Sequence, residues 1–305
     1  MCDDFTLADD AEWQALRRVS RRGFGLGAAG LAAGGALAGC MPASGPSASP
    51  SPTPAGLAIT ERMVTIFTPD GTADAFFAYP AKGRHAAILV WPDILGLRDS
   101  FKDKARQLAR AGYAALVVNH YYRSAHAPVL PAGASFTDPA VRAAIAPFGK
   151  ALSPATYASD GKAFVAWLDK QGEVDTRRKI GTVGHCMTGG ATIRTAAAVP
   201  DRIGVAASMH GGGLVTEAPD SPHRLIAATA GSFGAALLIA IAQNDYQREP
   251  ASQRSLRAAC EAAGRTCEIE VYPANHGWTV ADSPSYDAVQ AERAFQRQVA
   301  FYAKL

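Results

Sequence analysis

From Ile59 to Leu305, short apolar runs alternate with stretches of helical periodicity, and this alternation restricts the folds open to the chain. The runs HAAILVWPD, AALVVNHYY, KIGTVGHC, GVAASMHGG and AALLIAIAQND are brief and apolar at successive positions. That is the pattern of strands buried on both faces. Between and after them, DSFKDKARQLARAGY, YASDGKAFVAWLDKQ, MTGGATIRTAAAV and ASQRSLRAACEAAG read as helices, the first with Ser100 as N-cap and Gly112 as its stop. CEIEVYP adds a strand and YDAVQAERAFQRQVAFYAKL a closing helix. Upstream, RMVTIFTPDGTADAFFAYP places two β-rich runs around Pro69-Asp70-Gly71-Thr72, a hairpin signal. Residues 123–153 read as irregular except for a helix near Pro139–Lys150. The expected class is α/β: a largely parallel sheet with helices on both faces.

The segment before this pattern reads differently. RRVSRRGFGLGAAGLAAGGALAGC sets four arginines ahead of a Gly/Ala/Leu stretch, the form of an export signal. Ser20-Arg21-Arg22-Gly23-Phe24 resembles a twin-arginine motif, and Leu37-Ala38-Gly39-Cys40 a lipoprotein cleavage box that makes Cys40 the lipidated residue. Ala36-Leu37-Ala38 offers the alternative of cleavage to a soluble form. MPASGPSASPSPTPAG lacks the apolar residues to bury a core and reads as a disordered tether. The expected organisation is an export signal over 1–39, a tether over 40–58 and an α/β domain over 59–305. The protein is then periplasmic or lipid-anchored, meets a membrane only through Cys40, and is expected to be a monomer. A net charge of +3 over 305 residues, with no basic stripe, argues against a nucleic-acid partner. In an oxidising compartment, Cys260 and Cys267, either side of the turn at Gly264, are candidates for a disulfide.

In open parallel sheets, ligands and catalytic groups gather at the C-terminal ends of the strands. Those ends carry Asp93, Arg123, Cys186, His210, Asp245 and His276. Gly184-His185-Cys186-Met187-Thr188-Gly189 has the strand–nucleophile–helix form of a nucleophile elbow. A helix starting at Met187 favours thiolate over thiol at Cys186. An inert buried cysteine is the competing reading. Asp245 and His276 follow in the order nucleophile, acid, histidine, which is that of α/β-hydrolases. On this reading Cys186 attacks an ester or lactone carbonyl, and the backbone N–H groups of Met187 and Ile94 hold the oxyanion. His276, oriented by Asp245, moves the protons. No cofactor is implied, and no C-x-x-C or H-x-x-x-H spacing suggests a metal. His120, His185 and His210 are candidates for lining the pocket.

The segments WPDILGLRDS, VVNHYYRSA, GTVGHCMTGGA, AQNDYQ and VYPANHGW, in this order, resemble the dienelactone hydrolase family over residues 60–305. The resemblance implies an α/β-hydrolase fold and a triad of Cys186, His276 and Asp245. It also implies hydrolysis of a small-molecule carboxylic ester or lactone through a thioester. The family often has Glu where Asp93 stands, an acid that helps deprotonate the thiol. Arg123 falls where the family can place an arginine for a substrate carboxylate, and Tyr122 beside it is a candidate for touching substrate. Val280 is apolar where a second arginine is expected, and Thr188 replaces a common glycine. These departures support the alternative of a binding lipoprotein that keeps the fold without turnover.

Overall fold

A computed structural model describes residues 56–228 and 234–305. The expected export signal, Cys40 and nearly all of the tether lie outside the described residues. Eight strands form one sheet: β1 (Ile59–Thr68), β2 (Gly71–Pro80), β3 (Ala87–Trp91), β4 (Ala114–Val118), β5 (Ile180–His185), β6 (Ile203–Met209), β7 (Ala236–Ala242) and β8 (Cys267–Tyr272). Their spatial order is β1-β2-β4-β3-β5-β6-β7-β8. The β1–β2 hairpin closes with Thr68 opposite Gly71, and β2 meets β4 antiparallel; the other pairings are parallel.

The helices are α1 (Asp99–Arg110), α2 (Pro139–Gly149), α3 (Pro154–Leu168), α4 (Gly189–Ala198), α5 (Pro222–Ala228), α6 (Gln243–Arg248), α7 (Pro250–Ala262) and α8 (Ala288–Tyr302). Alternating strand residues divide the core in two. Leu89 and Trp91 of β3 pack with Phe164 of α3, Ile193 of α4 and Leu256 of α7 on one face. Ile88 and Val90 pack with Phe101 of α1 and Phe301 of α8 on the other. This period of two explains why the central strands are apolar throughout.

Three local expectations shift. Helix α1 starts at Asp99, with Arg98 rather than Ser100 at the cap, and Arg98 makes no side-chain cap. Its guanidinium is committed to Asp93 and Asp282 instead. Cys186–Thr188 forms a 3-10 turn, so the elbow helix proper starts at Gly189. Asp245 does not end its strand but lies in α6, after β7 has finished at Ala242. Cys260 of α7 and Cys267 of β8 are joined as a disulfide. No helix among the described residues is long and apolar enough to cross a membrane.

Candidate active site

The C-terminal edge of the sheet brings β3, β5, β6, β7 and β8 together, and with them the residues their ends carry. Cys186, directly after β5, has a φ of +56°, a backbone region that costs a side-chain-bearing residue energy and is seen at functional turns. The turn closes against strand backbone. A Cβ at Gly184 would lie 2.2 Å from the Thr188 carbonyl oxygen, and one at Gly189 2.5 Å from Gly211 Cα. Small residues are therefore obligatory on both sides of Cys186.

Thr188 is not merely tolerated at the former glycine position. Its buried Oγ1 accepts the His185 N–H at 3.0 Å and lies 3.0 and 2.9 Å from the carbonyls of Trp91 and Pro92, toward which it donates. It latches the elbow to the end of β3, one residue from Asp93.

His210 holds the elbow from the other side. Cys186 N–H donates to His210 Nδ1 at 3.2 Å, so that nitrogen carries no proton. His210 Nε2–H therefore donates to Thr279 Oγ1 at 2.9 Å, and the Thr279 hydroxyl is free to donate to His185 Nδ1 at 3.0 Å. Burial holds both histidines well below the ordinary range, aided at His210 by the positive charge of His276 and at His185 by that of Lys104. Both rings are neutral, as their acceptor roles require. His210 lines the cleft and His185 a cavity behind it. His120 lines neither; it is buried without a hydrogen-bond partner among the described residues, and burial pushes it down to about 3.

His276 and Cys186 line one cleft with Asp93, Ile94 and Arg98, about 60 Å³ in volume. His276 Nδ1 donates to Asp245 Oδ2 at 2.7 Å, leaving Nε2 for the sulfur. Burial alone would lower the ring pKa, but the charge on Cys186, the Asp245 carboxylate and hydrogen bonds to both raise it to about 10. Asn244, which the sequence gives no reason to single out, ties α6 to the loop after β8: its Oδ1 accepts both His276 N–H at 2.9 Å and Asp245 N–H at 3.2 Å. Among the described residues no group of His, Cys, Asp and Glu is arranged to hold a metal ion.

Asp93 faces the cleft but is occupied. Arg98 grips both its oxygens, at 2.6 and 3.0 Å, and holds Asp282 at 2.7 and 2.8 Å. Arg98, five residues after Asp93, thus occupies the acid. Tyr121 donates to the Ile94 carbonyl at 2.9 Å and touches Met187 Sδ at 3.3 Å, joining the two segments whose N–H groups are the candidate oxyanion donors.

Two expected contacts are not placed in the cleft. Arg123 binds Asp160 at 2.8 and 2.7 Å and Asp70 at 3.0 Å, so its donors are spent on the protein's own carboxylates. Tyr122 donates to Asp160 at 2.8 Å and accepts from Thr68 at 2.8 Å. Neither lines the cleft that holds Cys186. The physical reason is the same for both: a fully buried Asp160 on α3 draws their polar ends away from the sheet edge.

An eight-stranded sheet in this order, with a tight strand-to-helix turn after β5 and an aspartate and a histidine after β7 and β8, has the α/β-hydrolase fold. The dienelactone hydrolase family profile matches residues 73–305, and the chain belongs to that family. It is 31% identical over 237 residues, 77% of each chain, to a Methylorubrum extorquens protein that carries a provisional carboxymethylenebutenolidase name. An Escherichia coli protein with the same provisional name is 26% identical over 254 residues, 80% of this chain and 87% of its own. A crystal structure provisionally described as a dienelactone hydrolase of Klebsiella pneumoniae superposes with a TM-score of 0.68 at 22% identity, covering 81% of this chain and all of that one. The protein is a hydrolase of this family, and the alternative of a non-catalytic binding protein draws no support from these likenesses.

Proposed function

We propose that the protein hydrolyses a small carboxylic ester or lactone through a thioester on Cys186, with His276 and Asp245 completing a triad. The observation that carries this reading is a cysteine at a strained turn, in one cleft with a histidine that is itself bonded to Asp245 at 2.7 Å. The thiolate adds to the carbonyl carbon, and Met187 and Ile94 N–H groups receive the oxyanion, each such donor being worth about 3 kcal/mol in other hydrolases. The intermediate collapses, the C–O bond breaks, and His276 gives its Nε2 proton to the leaving alcohol. Neutral His276 then takes a proton from water as that water attacks the thioester. The second intermediate expels the thiolate and the acid, restoring the ion pair. Asp93, bound on both oxygens by Arg98, shapes the cleft in this scheme.

The reading predicts an alkaline limb. The imidazolium is the acid for the leaving group, so activity is present below the raised pKa of His276 and lost above it. kcat/KM for an alkyl ester, whose alkoxide cannot leave unprotonated, should fall tenfold per pH unit above about pH 10. A profile limited near pH 6.5, the ordinary histidine value, would show that no thiolate faces the ring. Labelling of Cys186 by iodoacetamide, slowed by a competing ester, tests the nucleophile directly.

Export through the arginine-rich segment and lipidation at Cys40 are also proposed, on the sequence motif alone. Mass spectrometry of the native protein should find an acylated Cys40 at a new N-terminus; an intact Met1 would overturn this.

A further inference from the structure

Both peptide groups of Cys186 are held by the loop after β6. Its N–H donates to His210 Nδ1 at 3.2 Å, and its carbonyl accepts from Gly212 N–H at 3.2 Å. Cys186 and His210, at φ of +56° and +41°, are the two non-glycine residues with positive φ among the described residues, and they are bonded to each other. A residue with a side chain keeps such a backbone only where its surroundings over-determine it, and such residues gather at functional sites. The strain at Cys186 is thus matched by strain in the residue that holds it.

His210 is fixed in turn. Its own N–H donates to the Ala240 carbonyl at 2.8 Å, which ties it to the end of β7. Its ring lies edge-on to His276, with centroids 4.9 Å apart, and to Trp278 at 5.1 Å. Packing of this kind sets the plane of an imidazole but not which edge faces Cys186. A half-turn about the Cβ–Cγ bond keeps the plane and sets Cδ2–H, which accepts nothing, against the Cys186 N–H. The observed orientation is the one in which Nε2–H meets the Thr279 hydroxyl, at 2.9 Å. Thr279 Oγ1 is open to accept because its own proton is directed to His185 Nδ1, at 3.0 Å. All three side chains are buried, so bulk water offers no substitute partner.

Thr279 stands three residues after His276, and Lys104 Nζ anchors it to α1 by donating to its carbonyl at 2.5 Å. The run Thr279–His210–Cys186 is therefore a strut between the segment that carries His276 and the turn that carries the sulfur. We propose that Thr279 is a positioning residue for the reaction at Cys186: its hydroxyl sets the orientation of His210, and His210 sets the place of the Cys186 backbone relative to His276. The inference rests on the thioester reading and adds to it a residue outside the lining of the cleft. Misplacing a reacting group by about 1 Å costs about 100-fold in rate, which makes such a strut worth keeping.

Thr279→Val keeps the shape of the side chain and removes its hydroxyl. kcat for an alkyl ester should fall about 10- to 100-fold with KM within about twofold of wild type, and Thr279→Ser should restore most of the loss. NMR of 15N-labelled wild-type protein should show His210 protonated on Nε2 and a scalar coupling across the Cys186 N–H···Nδ1 hydrogen bond. In Thr279→Val that coupling should weaken and the Cys186 amide proton should exchange faster. A proton on His210 Nδ1 in wild type overturns the strut, whether or not Thr279→Val folds. An unchanged kcat in Thr279→Val overturns it too, as does a loss that Thr279→Ser fails to restore or that leaves the coupling at its wild-type strength; a purely structural threonine would lower Tm alone. Failure of wild type to cleave any ester, with the coupling present and dependent on Thr279, defeats the hydrolase reading and leaves the strut standing.

Discussion

Cys186→Ala is expected to lose ester turnover by a factor on the order of a million while keeping its fold, the largest effect any single change in this protein should have on activity. The chemical half of this expectation follows from the site. His276 and Asp245 are bonded at 2.7 Å, and without sulfur they activate at most a water. The oxyanion donors survive, so a small residue of catalysis over the uncatalysed rate should remain. The folding half follows from the backbone. Residue 186 sits at a φ of +56° whichever of Cys or Ala occupies it, and its N–H keeps the bond to His210. Removing the sulfur also removes one of the two partners that raise His276, and Asp245 remains bonded to the ring, so no buried cation is stranded. Melting of the variant should lie close to that of wild type, and an NMR titration should find His276 with a lower pKa than in the parent. Full turnover in Cys186→Ala would remove the thioester mechanism, whatever the family. A variant that fails to melt cooperatively would instead assign the cysteine a structural role.

The alternation of apolar runs was enough to place Cys186, Asp245 and His276 on one edge of one sheet. Periodicity reports burial, and burial on both faces leaves few alternatives to a parallel sheet. Polar pairing is another matter, because it depends on what returns from far away in the chain. Arg123 reads as a free cation until α3 brings Asp160, 37 residues on, and the β1–β2 turn brings Asp70, 53 residues back. Arg98 draws no notice in the sequence, because its partner Asp282 comes 184 positions later, from the loop after β8. Local clues were present: Arg98 stands five residues after Asp93, a reach one extended side chain spans. Thr188 shows the opposite error. As a departure from a family pattern it looked like a defect, whereas its hydroxyl supplies a latch that glycine lacks.

The correction at Arg123 carries the second large expectation, this one on stability. Asp160 has a side chain only 1% exposed, and it accepts from Arg123 twice and from Tyr122 once. Arg123 also lies over the Tyr122 ring at 4.5 Å, so one carboxylate organises the whole segment after β4 against the hairpin turn. Asp160→Ala deletes that acceptor and strands a mostly covered guanidinium with only Asp70 beside it. Breaking a buried pair from one side costs about 3–5 kcal/mol, which in a domain of this size lowers Tm by roughly 10 °C. Asp160→Asn keeps the shape and one acceptor oxygen and should cost less. The decisive comparison is Arg123→Met alone against Arg123→Met with Asp160→Leu. If the pair is structural, the double variant removes both charges, leaves none unpaired, and should melt above what the sum of the single losses gives. If Arg123 instead binds substrate, Arg123→Met should raise KM for a carboxylate-bearing ester while Tm stays near wild type, and the double variant should show no coupling in stability.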